Sequence, residues 1–212
     1  RERATERYEA EAPHLEVHAF GIAQVIVDGR PITKTDWDSA ATKELFFLLL
    51  AHPEGLRKEQ IVSALWGDIP RAKVNSVFHS TAWRMRRALA PDCVVYDDGL
   101  YRLSTEIDLW YDVAQFNRFI FQAKNAETPE QRAEFYRDAI ALWQGEYLED
   151  AYSDWCVPIR SDLHQEYLNA LVSLADLCDQ QARSADAAAL YWKILEEDRY
   201  REDAYQALMR LQ

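Results

Sequence analysis

Residues 71–89 read Arg71-Ala72-Lys73-Val74-Asn75-Ser76-Val77-Phe78-His79-Ser80-Thr81-Ala82-Trp83-Arg84-Met85-Arg86-Arg87-Ala88-Leu89. Val74, Phe78, Ala82, Met85 and Leu89 recur in steps of four and three, so on a helix they form one stripe. This predicts a helix from about Arg71 to Leu89 with one side buried. The other side carries Ser76, Ser80, Trp83 and Arg87. Lys73 and Arg84 flank it on one edge, His79 and Arg86 on the other. An apolar underside with a basic, hydroxyl-bearing and aromatic outer face is what insertion into the major groove of DNA requires. Arg and Lys reach phosphates and guanine edges, and small Ser residues allow close approach.

Working outward, the segment before this helix predicts a second, shorter one over 58–66, with Ile61, Val62, Leu65 and Trp66 on one face. Gly67-Asp68-Ile69-Pro70 separates the two. An earlier helix starts after Asp38 or Ser39, either of which can accept from the free N–H groups of its first turn. It runs to about Ala51, where His52-Pro53-Glu54-Gly55 stops it. Upstream, Leu15 to Phe20 and Ala23 to Val27 read as strands closed by an Asp28-Gly29 turn, and a third strand takes in Pro31-Ile32-Thr33. Downstream of Pro91, Val94-Val95-Tyr96, Asp97-Asp98-Gly99 and Leu100-Tyr101-Arg102-Leu103 form a hairpin signal. From Ile107 onward only helical patterns occur, over about 110–126, 129–143, 158–182, 185–197 and 202–211. Ala139-Ile140-Ala141-Leu142-Trp143 and Ala187-Ala188-Ala189-Leu190-Tyr191-Trp192 resemble each other, as in stacked helix pairs.

Composition narrows the function. The 212 residues suffice for two domains, and 49% hydrophobic with 28% charged residues suits a globular chain. No apolar run is long enough for a membrane helix. The first residue is Arg1 and no signal peptide is visible, so the sequence reads as a piece of a longer protein. Cys93, Cys156 and Cys178 are scattered and unpaired in pattern, which points to a reducing cytosol and away from disulfides or zinc. His14 and His18 share an i,i+4 spacing, but on a strand that spacing does not join side chains, so no metal site is expected. The net charge of −12 is uneven: residues 1–106 carry −2 and residues 107–212 carry −10. Within 57–87, seven basic residues (Arg57, Lys58, Arg71, Lys73, Arg84, Arg86, Arg87) face two acidic ones. Because salt screens distant charge, that local field decides nucleic-acid binding.

In residues 15–104 the chain resembles the winged helix-turn-helix of the OmpR/PhoB type, in the form used by Streptomyces-antibiotic-regulatory-protein-like (SARP-like) activators. The resemblance rests on Lys43-Glu44-Leu45-Phe46-Phe47-Leu48-Leu49, Leu65-Trp66-Gly67-Asp68, Met85-Arg86-Arg87-Ala88-Leu89 and Gly99-Leu100-Tyr101-Arg102-Leu103. The second half is similar to the bacterial transcriptional activator domain, a tetratricopeptide-like array. It is carried there by Ile107-Asp108-Leu109-Trp110-Tyr111-Asp112-Val113-Ala114-Gln115-Phe116, by Leu142-Trp143-Gln144-Gly145-Glu146-Tyr147-Leu148 and by Trp155 through Arg160. Arg57 stands where the family often has Ser or Thr, and Asp97 and Asp98 make the wing acidic.

The expected organisation is therefore a tail over 1–14, an α+β winged helix-turn-helix over 15–106 and an all-α tetratricopeptide-like domain over 107–212. The expected function is sequence-specific binding of double-stranded DNA by a cytoplasmic bacterial transcription regulator, an activator by resemblance. Lys73, Ser76, His79, Ser80, Trp83, Arg84 and Arg87 would face the groove, with Arg57, Lys58, Tyr101 and Arg102 on phosphate. The resemblance implies RNA polymerase as a partner, paired copies on direct repeats, and further sensor or effector domains in a longer chain. No cofactor is expected. No enzyme is expected either, since no nucleophile–base set or phosphate-cradling glycine loop is present. A competing reading makes the chain a protein-interaction scaffold whose winged helix no longer binds DNA. Apart from either reading, Arg84, Arg86 and Arg87 could form an ordinary solvated face, Arg86 could pair with an acid inside the domain, and Trp83 could stack on the adjoining helical domain and never meet DNA.

Overall fold

The structure is a computed structural model that describes residues 13–67 and 69–211, the side chain of Arg71 excepted. Residues 1–12 of the expected tail lie outside the described residues. The elements run β1 (His14–His18), β2 (Gln24–Val27), β3 (Arg30–Pro31), α1 (Lys34–Trp37), α2 (Ala40–Ala51), α3 (Lys58–Trp66), α4 (Arg71–Ala88), β4 (Val94–Asp97), β5 (Leu100–Leu103) and β6 (Asp108–Tyr111). Five helices follow: α5 (Asp112–Asn125), α6 (Pro129–Leu142), α7 (Cys156–Gln180), α8 (Ser184–Glu197) and α9 (Glu202–Arg210). The described chain divides into two compact units. One holds the residues up to Glu16 with Val25–Trp110, the other Val17–Gln24 with the residues from Tyr111 onward.

The first unit is a winged helix-turn-helix. Its strands are ordered β3-β2-β1-β6, and β4 pairs antiparallel with β5 as the wing. Both hairpin turns are Asp-Gly with positive φ at each residue, 49° and 79° at Asp28-Gly29 and 49° and 80° at Asp98-Gly99. That backbone twist matches two paired strands, and Gly adopts it without strain. Two elements escaped the sequence reading. Residues 108–111 form the strand β6 where only helix was expected, since four residues are too few to show a period. The one-turn helix α1 is set by a reciprocal cap: Asp36 N–H donates to Thr33 Oγ1, and Thr33 N–H donates to the Asp36 carboxylate. Those bonds to Thr33, aided by Arg30, hold the Asp36 pKa down at about 2.

Helix α2 begins at Ser39, whose hydroxyl accepts from Thr42 N–H at 3.2 Å, so Ser39 and not Asp38 is its cap. Leu45, Phe46, Phe47, Leu48 and Leu49 are all buried, and α2 packs on α3, α4 and β5. Phe78, Ala82, Met85 and Leu89 bring the underside of α4 into that core, while Val74 is half-buried. Cys93 is buried, and burial pushes its thiol up to about 11. Cys156 and Cys178 are also buried.

In the second unit α5 packs on α6, α6 on α7, α7 on α8 and α8 on α9. The likeness between the two Ala-rich segments has a structural meaning in one register. Ala139 and Ala187 are fully buried, and the aromatics four residues later, Trp143 and Tyr191, are buried as well, whereas Trp192 is exposed. Trp143 also stacks on Tyr167, centroids 4.3 Å apart and planes 7° apart.

Val17–Gln24 completes this helical unit. Ala19 and Phe20 donate backbone N–H to the buried Asp112 carboxylate at 2.8 and 3.0 Å, and Asp112 also accepts from Val113. Burial raises the Asp112 pKa, opposed by those three N–H groups and by the nearby His18. Gly21 N–H donates to Glu146, and Leu148 and Glu149 donate back to Ala19 and Gly21. The Phe20 ring lies against Phe116 and Trp143 at 5.3 and 4.8 Å. Arg160 fastens the loop before α7 by donating to the carbonyls of Tyr147, Leu148 and Ala151.

Candidate nucleic-acid interface

The outer face of α4 carries the residues that the sequence placed there. Lys73, Ser76, His79, Ser80, Trp83 and Arg87 are exposed, and Arg84 is half-buried. Trp83 shows 57% of its surface, unusual for so large an apolar ring with a core only one helix-width away. The side chains are partly engaged. Ser76 and Ser80 donate to the carbonyls of Lys73 and Val77, one turn back in their own helix. The guanidinium of Arg87 lies over the Trp83 ring, 5.0 Å from its centroid.

Asp38 joins this face. Its carboxylate pairs with Arg84 Nε at 2.9 Å and stands 3.8 Å from an Arg87 terminal nitrogen. Asp38 ends α1 in the left-handed region, φ 64°, and that turn brings it beside α4. No spacing in the sequence links positions 38 and 84, and the only signal there, an acid ahead of a helix start, suggested a cap.

Arg86 leaves the outer face. It donates to the Val94 carbonyl at 3.2 Å and so ties α4 to the wing, with a backbone acceptor in place of the acid considered from sequence. Of the remaining candidates, Arg57 is exposed at the start of α3, where its N–H donates to the Gln60 side chain at 2.8 Å. Gln60 thus closes the turn that a Ser or Thr would otherwise cap. Lys58 Nζ donates to Asn75 Oδ1 at 2.8 Å, which joins the first turn of α3 to the second turn of α4.

In the wing, Tyr101 is held by its ring and its backbone. The ring meets Phe78 at 4.6 Å and Tyr96 at 4.5 Å, its main chain pairs with Leu56, and burial raises its pKa. Arg102 pairs with Asp97 at 3.2 Å, while Asp98 is exposed at the tip. Among the described residues no group of three or more His, Cys, Asp or Glu side chains could hold a metal ion. No described helix is long and apolar enough to cross a membrane.

Residues 111–212 match the family described as bacterial transcriptional activator domain. No curated protein matches the chain. Among solved structures, the chain is similar to Mycobacterium tuberculosis EmbR in complex with a low affinity phosphopeptide. The TM-score is 0.75 at 19% identity, covering 94% of this chain and 54% of that one. At that identity the likeness is one of fold, and the chain spans about half the length of the solved relative. The part of the chain that matches a family is thus the helical one, residues 111–212, and a winged helix-turn-helix precedes it in the sequence.

Proposed function

We propose that the chain binds double-stranded DNA sequence-specifically and acts as a transcription activator, with α4 in the major groove. The observation that carries this reading is the exposed face of α4. It presents Lys73, Ser76, His79, Ser80, Trp83 and Arg87 to solvent from a helix whose other side is locked in the core. A rigidly backed helix with cations and small hydroxyls outward suits base-edge reading. Arg57 and Lys58 at the start of α3 and Arg102 in the wing would meet phosphate on either side. Tyr101 would add its hydroxyl there and also support the wing against Phe78. The acidic helical domain would leave DNA to the first unit and engage RNA polymerase.

The scaffold reading is favoured by one feature, the acids at this face: Asp38 on the arginines, and Asp97 and Asp98 on the wing. Fluorescence-anisotropy titration against fragments of the source genome at two salt concentrations separates the readings. Tight, salt-sensitive binding to a subset of fragments is expected of a DNA reader, since phosphate contacts release counterions. Absence of salt-sensitive binding by a folded protein leaves the scaffold.

A further inference from the structure

We infer that Asp38 is a specificity-determining positioning residue of the α4 surface, one that orients Arg84 toward base edges and opposes indiscriminate phosphate binding. This inference rests on the DNA-binding reading and deepens it. A guanidinium offers two usable donor edges, one along Nε and one at its two terminal nitrogens. The ion pair of Asp38 with Arg84 is closest at Nε, 2.9 Å, and leaves the terminal nitrogens of Arg84 without a described partner. That edge is the one which grips guanine O6 and N7 in bidentate fashion. A side chain held at its neck loses less rotamer freedom when it meets its base than one waving in solvent.

The same carboxylate acts on Arg87 differently. At 3.8 Å the pair is loose, and the Arg87 guanidinium rests over Trp83. Asp38 there serves as a weak substitute for phosphate. Any duplex must displace it to recruit Arg87, and a duplex that satisfies Arg84 as well gains the most. One acid thereby lowers the affinity for all sequences and widens the gap between the right one and the rest. The turn at Asp38, φ 64°, delivers its carboxylate to α4.

Asp38→Asn is the clean test. Asn is isosteric and, like Asp, tolerates the left-handed region, so the turn survives while the charge goes. The probes are the duplex that the wild-type protein enriches from a randomised pool, and poly(dI-dC) as indifferent DNA. The variant should bind poly(dI-dC) more tightly, with the salt slope steepened by about 0.9, one further phosphate. The preference for the enriched duplex should fall about tenfold. In the Arg84→Gln background, Asp38→Asn should no longer lower that preference, because its effect passes through Arg84. An unchanged preference and slope in a folded Asp38→Asn protein overturn the role of Asp38 alone. A wild-type protein that enriches nothing and binds no DNA overturns the DNA-binding reading, and this inference with it.

Discussion

Asp112 accepts the backbone N–H of Ala19 at 2.8 Å across 93 positions of chain, and both groups are buried. The segment Val17–Gln24 is thereby part of the helical unit's core. A piece cut at residues 107–212 lacks it, and leaves Asp112 without two of its donors and Phe116 and Trp143 without the ring of Phe20. That piece should melt well below the whole chain's helical unit and bind a hydrophobic dye. Equal thermal stability by circular dichroism would contradict the assignment.

Within the whole chain, Phe20→Ala should destabilise the helical unit by about 3–5 kcal/mol, the range for emptying a buried aromatic site. Asp112→Ala should cost about 1–3 kcal/mol for each N–H left without an acceptor. Ile22→Ala, in the same segment but 66% exposed, is the control and should change stability by less than about 0.5 kcal/mol. Urea midpoints read all three.

Gly145→Ala should destabilise the same unit by about 1–3 kcal/mol. Gly145 has φ 151°, and a Cβ there would meet Glu149 Oε1 and stand 3.1 Å from Gly21 Cα. The Glu149 side chain can move away, but the Gly21 backbone, bonded to Glu146 and Glu149, cannot move cheaply. A stability equal to wild type would show that the loop has room to relax.

The Asp36 carboxyl sets a pH dependence in the first unit. Its folded pKa, about 2, lies below the ordinary 3.8, so the folded state favours the charged form. Its contribution is fully present above about pH 4 and is lost as pH falls through the folded value. Asp36→Asn should therefore cost stability at pH 6 and cost less at pH 2. Equal costs at both pH values, from chemical denaturation, would remove Asp36 from the acid response of this unit.

Arg87→Ala should weaken DNA binding without unfolding the protein, since Arg87 is exposed and touches only Asp38 and Trp83 among the contacts described above. If Arg87 meets a phosphate, affinity falls alike for all sequences. If it meets a base, about 1–3 kcal/mol of discrimination is lost at one position. No change in affinity or preference would take Arg87 out of the interface.

One copy should bind weakly and two copies strongly on adjacent half-sites, because the positive field of 57–87, seven basic residues against two acidic ones, is small. Tandem copies of the enriched sequence spaced by about one helical turn, near 10–11 base pairs, should bind cooperatively. Inserting half a turn should abolish the cooperativity. A single half-site bound as tightly as the pair would exclude this mode.

Much of this protein follows from local sequence. The period of Val74, Phe78, Ala82, Met85 and Leu89 determines which side of α4 is core, because burial of one stripe is a property of the helix itself. Asp28-Gly29 and Asp98-Gly99 determine their turns, because the required backbone is available only to few residues. Ala139 with Trp143 and Ala187 with Tyr191 mark the buried sides of α6 and α8, because residues four apart share a helix face. Tertiary structure alone decided three things. It placed Val17–Gln24 in the helical unit, through a carboxylate 93 positions away. It paired residues 108–111 as a strand, which has too few residues to show a period and depends on the neighbouring edge for its hydrogen bonds. It also turned Asp38 from a candidate cap into the partner of Arg84 and Arg87. A charge's partner is set by where the chain returns in space, and no spacing along the sequence records that.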